Sequence, residues 1–235
     1  PQAGDKSTNR TTVNLEGLGR PSRRVELAFP VAGILTKRLF TEGQQVDQGQ
    51  AIAELDAELE KAVVRIDSLK AESDCEIRAA EATALVKAEL LERKRSSAQQ
   101  GSSAVWEVRE AELGVQLAKA QVEMAKFQKE VLAHELKRDE ILVAQRQIKA
   151  PFSGSIWRTL KEEGEAVERL QGIAVLVQLN PLWVELNAPA EYFGHISVGQ
   201  EAKVTIRDVS RPATVSTVEP MVDAGSGTFR VRLTL

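Results

Sequence analysis

The chain has 235 residues, of which 43% are hydrophobic and 28% charged, with 31 basic against 34 acidic side chains for a formal net charge of -3. That is enough apolar content to bury cores, while the near-balanced charge supplies no general attraction for nucleic acid or an anionic membrane, so no nucleic-acid partner is expected. Cys75 is the only cysteine, which excludes an intramolecular disulfide and a thiolate metal cluster, and no apolar run approaches the roughly 18 residues that cross a bilayer.

The chain opens on Pro1 without a signal-peptide pattern. Residues 1–22 read as a partly flexible N-terminal segment with one strand's worth of pattern around Val13 and Leu15, a candidate barrel strand. From Arg24, Val25, Leu27 and Phe29 alternate with Glu26 and Ala28, the period of a half-buried strand, and Pro30 and Gly33 punctuate it. Ile34 to Phe40, a turn at Glu42-Gly43 and Gln50 to Leu55 complete a first β-unit over 23–56.

No proline occurs between Pro30 and Pro151, and Gly101 and Gly114 are the only glycines between Gly49 and Gly154, so 57–147 is free to form two long helices. Val108, Ala111, Val115, Ala118, Val122, Ala125, Lys129, Leu132, Leu136, Asp139 and Val143 alternate spacings of three and four, a heptad seam for the second helix. For the first helix, Leu59, Val63 and Ile66 start a seam, Lys70 and Ser73 interrupt it, Ile77, Ala80 and Ala84 resume it, and Leu85, Ala88 and Leu91 suggest a phase shift. The polar run from Ser96 to Ser103 carries the turn chemistry between them, placing a tip at about 96–104. Helices of about 40 to 45 residues at a rise of 1.5 Å predict an antiparallel hairpin roughly 60 to 65 Å long. Pairing about Gln100 sets Lys70 and Ser73 level with Lys129 and Leu132, a polar layer near the root.

A second β-unit over 148–180 repeats the first. Pro30, Gly33, Gly43 and Val46 correspond at a constant offset to Pro151, Gly154, Gly164 and Val167, and a short insertion is expected before Gly49 and Leu55 find partners in Gly172 and Leu179. Two halves that bury an apolar face only against each other require the insert to leave and return at one place. After Pro181-Leu182, Val184 and Leu186, then Ala202, Val204 and Ile206, then Phe229, Val231, Leu233 and Leu235 alternate with polar residues, which predicts a small β-barrel over 181–235.

No phosphate-binding glycine loop, Gly-x-Ser-x-Gly elbow or His-Glu-x-x-His occurs. His134 and His195 lack a partner at ligand spacing and read as surface residues, Cys75 as a small helical residue, and the dense Glu/Lys runs as solvated helix faces. No catalytic residue, metal site or cofactor is expected, and the chain does not read as an enzyme. The end of a long rod is the place left for function. Arg93, Ser97, Gln99, Gln100, Gly101, Ser102, Ser103 and Ala104 offer a cation, donors and small side chains suited to nesting between helices of another protein.

The stretches Phe29-Pro-Val-Ala-Gly-Ile-Leu35, Glu42 to Asp56, Ile148 to Ile156 and Glu163 to Val167 closely resemble the two lipoyl half-motifs of periplasmic adaptor subunits, the HlyD-like membrane fusion proteins of tripartite pumps. Pro181 to Glu185, Val198 to Val204 and Gly227 to Val231 look like that family's β-barrel. The resemblance implies an α+β multidomain chain: a split lipoyl-like β-sandwich, a long helical hairpin and a barrel domain, with the membrane-proximal domain absent or incomplete. It implies a periplasmic location in a Gram-negative cell, anchored to the inner membrane through a segment outside this chain. The implied partners are an inner-membrane transporter of RND or ABC type, an outer-membrane TolC-type channel, and copies of itself in a ring, typically a hexamer. Many such adaptors carry at the tip an Arg, a Leu four positions on and a Ser seven beyond that. Arg93 fits, whereas Ser97 stands for the Leu and Ala104 for the Ser. A lipoyl or biotinyl carrier shares the half-motifs but presents a modified lysine at the turn that the hairpin replaces here, and Lys61 reads as a solvated helix residue. A plain coiled-coil spacer fits only the middle of the chain.

Overall fold

The structure is a computed structural model and describes residues 13–100 and 104–235. The chain divides into two compact units, one built from the residues through Glu54 together with Ile148–Leu235, the other from Leu55–Gln147.

In the β-unit, strand β1 covers Gly17–Ala28, β2 Gly33–Arg38, β3 Gln45–Val46 and β4 Ala51–Leu55. The second set is β5 Gln147–Lys149, β6 Gly154–Thr159, β7 Ala166–Val167 and β8 Gly172–Pro189, followed by β9 Glu201–Ile206, β10 Val209–Val218 and β11 Thr228–Thr234. They form two antiparallel sheets: a seven-stranded one ordered β3-β6-β8-β11-β10-β9 with β1 also on β8, and a four-stranded one ordered β5-β4-β2-β7.

The repeat explains this topology, because the halves exchange their shortest strands. Gln45 and Val46 of β3 pair with Ser155 and Gly154 of β6, while Ala166 and Val167 of β7 pair with Ile34 and Gly33 of β2. The turns interlock with the same symmetry. The Gly43 N–H donates to the Ile156 carbonyl at 2.8 Å and the Gly164 N–H to the Leu35 carbonyl at 2.8 Å. Gly43 and Gly164 sit at φ +79° and +86°, the left-handed region that a side chain adopts only at a cost. Val46 and Val167 are buried from opposite halves, with Phe29, Leu35, Ile52, Ile156, Ile173 and Leu176 completing the shared core.

One feature of the expected repeat is corrected. No insertion precedes the second glycine: the Gly49 N–H donates to the Ala150 carbonyl and the Leu170 N–H to the Phe29 carbonyl, both at 2.8 Å, so the structural counterpart of Gly49 is Leu170. Gly172 and Leu176 then stand for Ala51 and Leu55, and Leu179 is exposed rather than paired with Leu55. Leu170 keeps the conformation without the glycine, at φ 62° beside +83° for Gly49. Its side chain is 69% exposed, so its removal sacrifices little burial. Left-handed backbone costs an L-residue about 1–2 kcal/mol, and glycine's extra freedom in the unfolded chain takes back part of that. Leu170→Gly is therefore expected to stabilise the β-unit by up to ~1 kcal/mol, read as an upward shift of its urea midpoint at unchanged slope.

Two expected boundaries fall inside continuous strands. β1 begins before residue 22 and pairs along β8 from Gly17↔Leu186 to Ala28↔Gly172. β8 runs through the boundary at 180/181, with a cis peptide between Asn180 and Pro181. The start of β1 thus lies beside the barrel segment and its end beside the lipoyl-like segment. The barrel core is Val184, Ala188, Ala213, Val215, Phe229, Val231 and Leu233, with Phe193 edge-on to Phe229 at 5.3 Å.

Candidate functional site: the helical hairpin

In the helical unit, α1 spans Glu58–Glu72, α2 Cys75–Gln99 and α3 Val105–Ala144. α3, with 40 residues, is about 60 Å long at 1.5 Å per residue. At the root, the Leu55 N–H donates to the Arg146 carbonyl at 2.8 Å, and the Arg146 guanidinium bonds the Asp56 carbonyl and pairs with Glu60.

The seam expected on α3 is the one observed. Val115, Ala118 and Asp139 are buried, and Val108, Ala111, Val122, Ala125, Lys129, Leu132, Leu136 and Val143 are half-buried. The first limb departs from expectation in two ways. It is two helices rather than one, because Ser73 is extended (φ -74°, ψ 123°) and α2 restarts at Cys75. Ser73 and Asp74 are residues whose side chains compete with helical backbone. Asp74 also bonds Lys129 across the limbs, which holds the break in place. The second departure is rotational: Leu59, Val63 and Ile66 are exposed, and Glu60, Val64, Asp67 and Ala71 face inward instead. Leu85 is likewise exposed while Ala84, Ala88 and Leu91 carry the seam. The phase follows cross-limb polar pairs, Glu60 with Arg146 and Asp74 with Lys129, which apolar spacing within one helix does not encode.

The polar layer joins the residues expected to meet: Lys70, Ser73, Lys129 and Leu132 line one cavity at the break, with Leu69 and Ile77. Toward the root, Asp139 occupies a buried seam position and accepts two bonds from Arg138, at 2.9 and 3.1 Å, while Lys70 donates to Asp67 at 2.8 Å. The Arg138 hydrogen bonds hold the Asp139 carboxyl below its ordinary 3.8, with burial opposing them, and the Lys129 bond does the same for Asp74. Both groups thus take up protons more readily in the unfolded chain. Their contribution is complete above the ordinary value of 3.8 and is lost as pH falls through their lower folded values. The helical signal at 222 nm should melt at lower temperature at pH 3 than at pH 6, and Asp74→Asn with Asp139→Asn should flatten that difference.

At the tip, Arg93, Gln99, Gln100 and Ala104 are exposed and Ser97 is half-buried. The Gln100 N–H bonds the Ser96 carbonyl and the Glu107 N–H the Ala104 carbonyl, closing α2 and opening α3. Gly101, Ser102 and Ser103 lie outside the described residues. Below the tip the limbs are tied by Lys94 with Glu107 and by Arg95 with Glu112 at 3.0 Å, the Glu112 and Glu92 bonds pushing the Arg95 guanidinium pKa up. Sequence reasoning missed the largest exposed apolar surface here, Val105 at 85% and Trp106 at 66% exposure in the first turn of α3. The signal available was a tryptophan two residues outside the seam, at a position facing away from the other limb.

His134 and His195 are exposed, and Lys61 lies on the exposed side of α1. Cys75 is an exposed thiol at the start of α2, its pKa lowered by hydrogen bonds with Ser73 and Arg78. No group of three metal-ligating side chains occurs among the described residues, and no described helix is long and apolar enough to cross a membrane.

In chain order, then, the two half-motifs that exchange strands are separated by a coiled-coil hairpin and followed by the strands of a small barrel segment. The family described as the RND membrane fusion protein, barrel-sandwich hybrid domain, matches residues 23–179, and the chain belongs to it. The chain is 31% identical over 186 residues to the multidrug export protein AcrE of Escherichia coli K12, covering 77% of this chain and 44% of that protein. To the multidrug efflux pump subunit AcrA of the same organism it is 27% identical over 213 residues, covering 88% and 49%. The chain thus spans less than half the length of these relatives. Its fold matches the crystal structure of MacA from Actinobacillus actinomycetemcomitans with a TM-score of 0.78 at 18% identity, over 93% of this chain and 71% of that one. The membrane fusion protein Spr0693 from Streptococcus pneumoniae R6 matches with a TM-score of 0.61 at 16% identity, over 93% and 88%.

Proposed function

We propose that this protein is the periplasmic adaptor of a tripartite efflux pump, anchored at the inner membrane, that links an inner-membrane RND transporter to an outer-membrane TolC-type channel and forms part of the sealed conduit between them. The observation that carries this reading is the hairpin: about 60 Å of paired helix inserted between the halves of a β-unit and ending in a small polar tip, in a chain of the RND membrane fusion family. The hairpin is inserted in chain order between the two halves, and in this reading the transporter supplies the energy. Copies of the chain surround the conduit, as a hexameric ring in this reading. Arg93, Ser97, Gln99, Gln100, Ala104 and the neighbouring tip residues meet the channel.

Excising residues 85–115 and closing the limbs with a short turn is expected to leave the β-unit folded and abolish channel docking, scored by co-purification of the channel and by efflux. Docking at the level of the intact chain would overturn the role of the tip. An ABC-type transporter recovered in place of an RND transporter would change the partner class but not the bridging role.

A further inference from the structure

Two arginine–tryptophan stacks occur on the seven-stranded sheet, and only one of them is neutralised. Arg232 lies over the Trp183 ring at 4.3 Å and donates to the Glu185 carboxylate at 2.8 Å, with which Arg20 also pairs at 2.7 Å. Arg24 lies over the Trp157 ring at 4.5 Å, and Arg158 lies over the same ring at 5.6 Å. Among the described residues neither of these two guanidiniums forms an ion pair or a hydrogen bond.

Strand register brings the three residues together. β8 runs between β1 and β6, with Arg24 and Ser155 on either side of Val177 and Glu26 and Arg158 on either side of Val175. Cross-strand neighbours share a face, as do residues two apart on one strand, so Arg24, Ser155 and Arg158 lie on one side of the sheet. β6 carries an extra residue between Ile156 and Arg158, which leaves Trp157 and Arg158 both exposed where strict alternation would turn one inward. Val175 and Val177 on that face are buried. Covering them accounts for the arginine stems and the indole, but not for two guanidinium heads without a carboxylate. Glu26 shares the face and pairs with neither. Its carboxylate is turned onto Gly172, with Oε1 1.7 Å from the place a Cβ there would take.

A guanidinium stacked through its face keeps its N–H edge free, and the stack removes rotamer freedom that binding would otherwise cost. That edge matches two oxygens of a phosphate group. We propose that Arg24, Trp157 and Arg158 form a binding site for a ligand bearing two adjacent phosphate groups, one on each guanidinium, with the Ser155 hydroxyl as a further donor. Two cations held on one ring suit a pair of linked phosphates, and two unpaired positive charges favour such a ligand over a single carboxylate. A diphosphate in solution and neighbouring headgroups of a phospholipid surface offer this same chemistry. The site lies within the β-unit and is independent of the bridging role of the hairpin.

The test titrates inorganic pyrophosphate into the full chain by calorimetry at low salt, beside flotation of the chain with phosphatidylcholine vesicles that do or do not contain phosphatidic acid. The expected result is saturable binding of pyrophosphate, or flotation only with phosphatidic acid. Arg24→Gln with Arg158→Gln should weaken it at least about tenfold. Arg207→Gln with Arg211→Gln removes the same charge at exposed positions near the β9–β10 turn and should change it less than about twofold. Pyrophosphate binding alone assigns a soluble ligand and flotation alone a lipid headgroup, and either supports the site. Arg24→Lys with Arg158→Lys keeps the charge but loses the fork, and should bind at least about threefold more weakly than the native chain. Full affinity in the lysine pair, an equal loss in the Arg207 and Arg211 pair, or no binding of either probe overturns the proposal. The melting temperature of the β-unit should stay unchanged in every variant. Where the glutamine pair lowers it, the lysine pair, which keeps the covering stems, decides.

Discussion

Replacing Gly154 with valine is expected to unfold the β-unit at moderate temperature, with a loss of about 3 kcal/mol or more. A Cβ built on Gly154 meets the Val177 carbonyl oxygen at 2.4 Å and its carbon at 3.1 Å. Those atoms are backbone of β8, the strand that pairs with β6, β11 and β1, so the clash has no flexible side chain to absorb it. The neighbouring register, Ser155↔Val177 on one side and Val46↔Gly154 on the other, would have to part. Gly19→Ala is the comparison, since a Cβ there meets nothing within 4 Å. Its expected effect is within ~0.5 kcal/mol. Chemical denaturation followed by tryptophan fluorescence separates the two, and a Gly154→Val chain with a near-native midpoint would show that β6 can slide away from β8.

Ala118→Glu is expected to have the largest effect on the hairpin. Ala118 is 2% exposed at the centre of the α3 seam, between Val115 and Val122. Seam alanines let the limbs approach closely, and a glutamate there either buries an unpaired carboxylate or forces the limbs apart along several turns. The cost is several kcal/mol in either case. Far-ultraviolet circular dichroism should show the loss of most of the helical signal, because the three helices are the main source of it. The β-unit is a separate compact unit with its own cores, and its unfolding midpoint should move little. Unfolding of both units together would mean that the sheets depend on the hairpin for their stability.

Much of this architecture was legible along the chain, for reasons particular residues make clear. Pro30, Gly33 and Gly43 recur as Pro151, Gly154 and Gly164 because each half needs the same turn and the same close strand approach. The α3 seam was legible because heptad spacing is a local property of one helix. The partner of Gly49 was not, because a leucine holds the glycine-like φ at residue 170, and residue identity concealed what the backbone repeats. The first-limb seam was misplaced at Leu59, Val63 and Ile66 because apolar spacing alone admits more than one rotational phase, and Glu60 and Asp67, polar residues, occupy the inward positions. The position of the tip is legible in its polar turn residues, whereas the exposure of Trp106 is not, because it depends on which way the first turn of α3 faces.

The sequence by itself determined two related β-halves, the long helical insert between them, the face of α3 that is buried and the position of the turn, since each follows from short-range spacing and the conformational limits of glycine and proline. Only the tertiary structure decided the strand exchange between the halves, the continuity of β1 and β8 across the expected boundaries, the break at Ser73 and Asp74, and the rotational phase of the first limb. Those outcomes depend on hydrogen bonds and ion pairs between residues far apart along the chain, such as Gly43 with Ile156 and Asp74 with Lys129, whose partners local periodicity does not specify.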